Sequence, residues 1–132
     1  MPAVLDTHAA IWYLLDSTRL PQTVFGLIDE ATAKGTPTYI SPISLVEIVY
    51  LVERGRIAPD AFEKFAHELG QSSPVFTLAP LDFHVAEALR SIPRELVPDM
   101  PDRIIAATAL HLGLPLVTRD RRLQVAGIRT IW

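Results

Sequence analysis

The sequence contains no cysteine. Disulfide frameworks and thiolate metal sites are therefore excluded, and the chain suits a reducing compartment. No apolar run approaches the roughly 20 residues that cross a bilayer, so no membrane span is expected. Met1-Pro2-Ala3-Val4-Leu5-Asp6 carries no basic stretch and reaches an acid after a short apolar run, unlike a secretory signal. A cytoplasmic setting is the expectation. Positive charge is also scarce: 12 basic residues stand against 15 acidic ones, for a formal charge of -3. Only Lys34 and Lys64 of the basic set are lysines. A nucleic-acid ligand held by bulk charge alone is thereby disfavoured; such a ligand needs cations that offset the acids locally. No repeat, low-complexity tract or Gly/Ser linker divides the chain, so residues 1–132 read as one domain.

What is present is apolar sequence, 49% of the chain, cut into short pieces by proline and glycine. Ala3-Val4-Leu5, Thr38-Tyr39-Ile40, Val75-Phe76-Thr77-Leu78 and Leu116-Val117-Thr118 read as strands, with a fifth over 128–131. Helices are predicted over 8–15, 21–33, 42–53, 59–69, 82–91 and 102–112, with Asp82 and Asp102 as capping residues and Gly70 and Gly113 as stops. Segment 94–101 reads as irregular. Short apolar strands alternating with helices predict a parallel sheet covered on both faces, with ligands gathered beyond the carboxyl ends of the strands.

Four acids stand apart from the amphipathic pattern. Glu47 sits in Ile43-Ser44-Leu45-Val46-Glu47-Ile48-Val49-Tyr50-Leu51-Val52, with apolar residues on every helical face. That helix is predicted to be largely buried, and an ionised carboxylate inside it needs a cation or a metal. Asp102 opens an apolar helix, where it serves equally as a cap. Asp99, three residues earlier, brings a second carboxylate to the same helix start, and such like charges repel unless a cation lies between them. Asp6 and Asp120 follow the first and fourth strands, positions that plain turn residues also fill. Clustered carboxylates without cysteine or paired histidines suit Mg²⁺ or Mn²⁺. His8, His67, His84 and His111 lack zinc-ligand spacing; His8 reads as a helix-start residue and His67 and His84 as surface residues. Arg119, Arg121 and Arg122 surround Asp120 and are candidates for gripping phosphate, or for an ordinary solvated loop.

Val4-Leu5-Asp6-Thr7-His8, Ile40-Ser41-Pro42-Ile43-Ser44-Leu45-Val46-Glu47-Ile48, Asp99-Met100-Pro101-Asp102-Arg103-Ile104-Ile105-Ala106-Ala107 and Leu116-Val117-Thr118-Arg119-Asp120-Arg121-Arg122-Leu123 resemble, in order, the signatures of PIN domains. More narrowly, they resemble the VapC toxins of type II toxin–antitoxin modules. The resemblance implies a three-layer α/β domain with a central parallel sheet of four to five strands in the order 3-2-1-4-5. It implies an Mg²⁺- or Mn²⁺-dependent ribonuclease that leaves a 5′-phosphate and a 3′-hydroxyl. By the same resemblance Asp6, Glu47, Asp102 and Asp120 form the acidic site, Asp99 is a fifth acid, and Ser44 and Thr118 line it. A homodimer held inactive by a VapB-like antitoxin is implied as well; the apolar residues of the helix from His8 are expected mostly in the core, with any surplus left outside to receive an antitoxin helix. The chain departs from the family pattern in placing its proline at 101 and a valine at 46.

Rival readings fail at named positions. A phosphorelay receiver needs an acidic pair after strand one, an aspartate after strand three and a lysine after strand five. Asp6-Thr7 and Leu78-Ala79-Pro80 do not supply the acids, and neither lysine ends a strand. An aspartyl phosphatase needs an acid at position 8, which is histidine. A PIN-like domain that binds RNA or a partner without cutting is the remaining alternative, and the presence of all four acids argues against it.

Overall fold

The computed structural model describes residues 1–132. Five strands, β1 (Ala3–Leu5), β2 (Thr38–Ile40), β3 (Phe76–Leu78), β4 (Leu116–Val117) and β5 (Thr130–Ile131), form one sheet in the order β3-β2-β1-β4-β5. Every pairing is parallel, as the βαβ alternation predicts. Side chains of successive strand residues point to opposite faces. Accordingly Ala3, Leu5, Ile40 and Val117 enter one apolar cluster, while Val4 and Leu116 enter another.

The helices α1 (Thr7–Leu14), α2 (Gln22–Ala33), α3 (Pro42–Glu53), α4 (Ala61–Leu69), α5 (Phe83–Leu89) and α6 (Met100–Leu112) supply the outer layers. Trp12, Val24, Ile28, Ile48 and Phe65 fill the first cluster, and Val85, Ile105 and Ala106 the second. A 3₁₀ helix (Arg121–Ala126) joins β4 to β5. Gly113 ends α6 in the left-handed conformation, φ 66°, where a Cβ would be strained, and so turns the chain directly into β4.

Two expectations are corrected. α6 begins at Met100, not at Asp102: Asp99 occupies the cap position and Asp102 lies within the first turn. Pro101 belongs to that turn, where the missing N–H costs nothing because no first-turn N–H has an intrahelical partner. α3 is not buried all round. It packs on α1, α4 and α6, but only Ser44 and Ile48 are fully enclosed, and Val46, Val49 and Tyr50 are exposed. A helix in an outer layer has one packed side, so apolar composition on the other side leaves an uncovered face.

Arg103 closes the join between α5 and α6. Its Nε donates to the Ile92 carbonyl at 3.0 Å and its Nη2 to the Leu89 carbonyl at 3.2 Å, tying the turn that follows α5 to the first turn of α6. Charged hydrogen bonds of this kind contribute about 1.5–3 kcal/mol. Arg103→Met is therefore expected to lower unfolding free energy by about 2 kcal/mol in urea titration; an unchanged midpoint would show that water replaces the guanidinium.

Candidate active site

A cavity of about 350 Å³ opens at the carboxyl ends of β1 and β4 and is lined by Asp6, Glu47, Asp99, Asp102 and Asp120. Residues from four separate stretches thus share one recess. Asp6 leaves β1 and caps α1, its Oδ1 accepting the Ala9 N–H at 2.8 Å. Its own backbone N–H donates to the Val117 carbonyl at 3.1 Å, which sets it beside the end of β4. Asp120 caps the 3₁₀ helix by accepting the Arg122 N–H at 3.0 Å. Asp99 caps no backbone group through its side chain, and Asp102 projects from the first turn of α6.

Three of the carboxyls are held above the ordinary carboxylate range. Burial is the main cause for Asp6, opposed by the Ala9 N–H and the Thr118 hydroxyl. Burial also leads for Glu47, with the charges of Asp102 and Asp6 adding to it and the Thr7 hydroxyl opposing. Asp102 keeps an exposed edge, yet partial burial of its carboxyl comes first, followed by repulsion from Asp99 and Asp6. Each of these acids therefore feels its neighbours.

Glu47 has no arginine or lysine partner: the chain's ion pairs are Lys34–Glu30, Lys64–Asp60 and Arg122–Asp120. Its Oε1 instead accepts a hydrogen bond from the Thr7 hydroxyl. Thr7 also meets the Ser44 hydroxyl at 2.9 Å, and both hydroxyls are buried. Ser44 thus acts on Glu47 through Thr7, a residue whose place in the site the sequence reading overlooked. A hydroxyl directly after a strand-end acid, facing a serine one turn before Glu47, was the available signal.

Asp120 differs from the rest. The Arg122 guanidinium grips it in bidentate fashion, Nε to Oδ1 at 2.9 Å and Nη2 to Oδ2 at 2.7 Å. That contact holds the Asp120 carboxyl below its ordinary range. Arg122 is consequently committed to an internal partner. Arg121 is exposed and does not line the cavity, whereas Arg119 does. Thr118 is buried beneath, its Oγ1 accepting the Asp120 N–H at 3.1 Å. His8 stands near the start of α1, as read, and also lines the cavity. His67 and His84 are exposed.

The donor set fits a hard divalent cation. All candidate ligands are oxygens, and Asp6, Glu47, Asp99 and Asp102 have no cationic side chain in ion-pair contact. No three of the His, Asp or Glu side chains already converge as a closed cage. Mg²⁺ does not require one, since it keeps several waters and commonly takes one or two carboxylates.

A parallel sheet in this order with an acidic recess at its carboxyl edge has a counterpart in sequence. Residues 3–128 match the model of the PIN domain, and the chain belongs to that family. Within it, the chain is 30% identical over 122 residues to Ribonuclease VapC22 of Mycobacterium tuberculosis, covering 92% of this chain and 88% of that protein. Solved structures repeat the fold over nearly the whole length. VapBC2 from Rickettsia felis, bound to a DNA fragment from its promoter, gives a TM-score of 0.74 at 17% identity, covering 99% of this chain and 98% of that one. DNA-bound VapBC from Salmonella typhimurium gives 0.70 at 23% identity, covering 99% and 97%.

Proposed function

We propose that this chain is an endoribonuclease of the VapC kind that hydrolyses RNA phosphodiester bonds with Mg²⁺ or Mn²⁺. One observation carries the reading: five carboxylates from distant segments share a single recess, and four of them have no cationic partner. Its likeness to Ribonuclease VapC22 supports the choice of RNA. Asp6 and Asp102 would hold the ion, with Asp99 beside them and Asp120 available once Arg122 is displaced. When bound, the ion supplies Lewis acidity and activation of water.

The chain's own groups then divide the remaining work. Glu47, raised by burial and steadied by Thr7, takes the proton of the attacking water, a role suited to a carboxyl shifted toward neutrality. Thr7 and Ser44 fix its rotamer. Asp6 is fixed by its bond to Ala9, which engages Oδ1 and leaves Oδ2 outside that capping bond. The walls formed by Val97, Ile105 and Leu123 limit water around the acids.

A VapB-like antitoxin is the proposed protein partner, supported by the match in fold to toxins solved within VapBC complexes. The exposed apolar residues of α3, with Tyr50 55% and Val46 47% exposed, support self-association into a homodimer, which sedimentation velocity tests. The function itself is tested by inducing the chain in cells and mapping new RNA ends. New 5′-phosphate ends with the wild-type chain and none with Asp6→Asn are expected; identical end maps would refute the reading.

A further inference from the structure

Arg119 is exposed at the mouth of the acidic cavity, and its guanidinium lies against aromatic rings. It lies 5.0 Å from the centre of the Trp12 ring and 5.9 Å from that of Trp132. The two indoles meet edge to face at 5.8 Å, and the His8 ring tilts against Trp12 at 5.6 Å. Trp12 is only 7% exposed, so it serves as a foundation and not as a contact surface. The Arg119 guanidinium is thus backed by two indoles, Trp12 from α1 and Trp132 from the segment after β5, and Arg19 also approaches the Trp12 ring, at 6.0 Å. A planar guanidinium stacks on flat π-faces, which a point charge on a flexible stem does not do.

We propose that Arg119 is a stacking plate for a base of single-stranded RNA, backed by Trp12 and Trp132, for the nucleotide next to the bond that is cut. Guanidinium planes and aromatic rings are the surfaces on which unpaired bases stack. The position follows from the cavity lining, which Arg119 shares with Asp6 and Asp102. A base lying on the plate thus sits beside the acids. Neither Arg121 nor Arg122 has such a seat, the first lying outside the cavity and the second gripping Asp120. This inference rests on the ribonuclease reading and names the part of the substrate that the site grips.

The test uses the full chain with Asp6→Asn, which keeps RNA intact, and a short single-stranded RNA spanning the mapped cleavage position. Affinity is measured for Arg119, Arg119→Lys and Arg119→Gln, on that RNA and on copies with an abasic residue placed at each position in turn. Lysine keeps the charge and loses the plane. A plate predicts that both substitutions weaken binding by about tenfold, and that this penalty disappears with the abasic residue at one position beside the cut. Trp132→Leu should reproduce part of the loss. If lysine restores affinity, or the penalty survives at every abasic position, Arg119 is a phosphate contact and the plate is refuted. If the wild-type chain cuts no RNA, the ribonuclease reading falls first and the plate with it.

Discussion

Asp6→Asn is expected to reduce RNA cleavage by about 10³-fold without unfolding the protein. Loss of a metal-holding carboxylate removes several kcal/mol of transition-state stabilisation, and each 1.36 kcal/mol is a factor of ten. The fold should survive because asparagine caps a helix as well as aspartate does, preserving the bond to Ala9 seen at 2.8 Å. The apo protein should even gain stability at neutral pH. Asp6 is a carboxyl pushed up by burial, so its ionised form opposes folding, and the neutral amide removes that opposition. Asp6→Ala separates the two effects: it is equally inactive but gives up about 1 kcal/mol of capping. Rates in multiple turnover together with urea midpoints in EDTA decide the matter. Activity within tenfold of wild type would remove Asp6 from the metal site.

Divalent cation should stabilise the folded chain, and increasingly so as pH rises. Asp6, Glu47 and Asp102 titrate near 3.8, 4.5 and 3.8 when unfolded, and higher when folded. Between those limits the native protein binds more protons than the unfolded chain, so stability falls with rising pH. Each contribution is whole below the ordinary value and is lost as pH climbs through the raised one. Asp120 runs the other way, since its lowered carboxyl loses stabilisation as pH falls. Its arginine partner is exposed and solvent-screened, so the three raised acids should govern. In EDTA the urea midpoint should therefore decline as pH rises above the ordinary carboxylate range and through the raised values of these three acids. Mg²⁺ or Mn²⁺ at a hundred times its dissociation constant should return about 2.7 kcal/mol, most at the alkaline end, where the acids are ionised. A midpoint that ignores the cation at pH 8 would contradict a shared ion site.

The contrast between what could and could not be read from the residues is instructive. β1, β2 and α3 are local in origin. A short apolar run, a strand-end acid and a Ser-Pro helix start each signal their own structure, and the structure agrees at Ala3–Leu5, Thr38–Ile40 and Pro42–Glu53. The placing of Asp6 and Asp120 was legible too, because parallel sheets collect strand-end residues along one edge, whereas Glu47, Asp99 and Asp102, on α3 and at the start of α6, were joined to them by the resemblance to PIN domains. The start of α6 was misplaced because Pro101 was taken as a breaker, although proline is welcome in a first turn. The exposure of Val46 and Tyr50 was missed because apolar composition does not tell an enclosed helix from one with an uncovered side. The seating of Arg119 on Trp12 and Trp132 and the chelation of Asp120 by Arg122 depend on how side chains from separate turns meet. Periodicity carries no record of such meetings.

The central position of β1 has a consequence for how the molecule comes into being. Its neighbours are β2 on one side and β4 on the other, with Val4 in register with Leu116. β1 must wait for a partner more than a hundred residues further along the chain, and contacts so far apart along the chain form slowly. Until Val117 has left the ribosome, Asp6 has no carbonyl to receive its N–H. The acidic recess is therefore assembled only after segments more than a hundred residues apart have met, since Asp6 and Asp120 line it from the ends of β1 and β4.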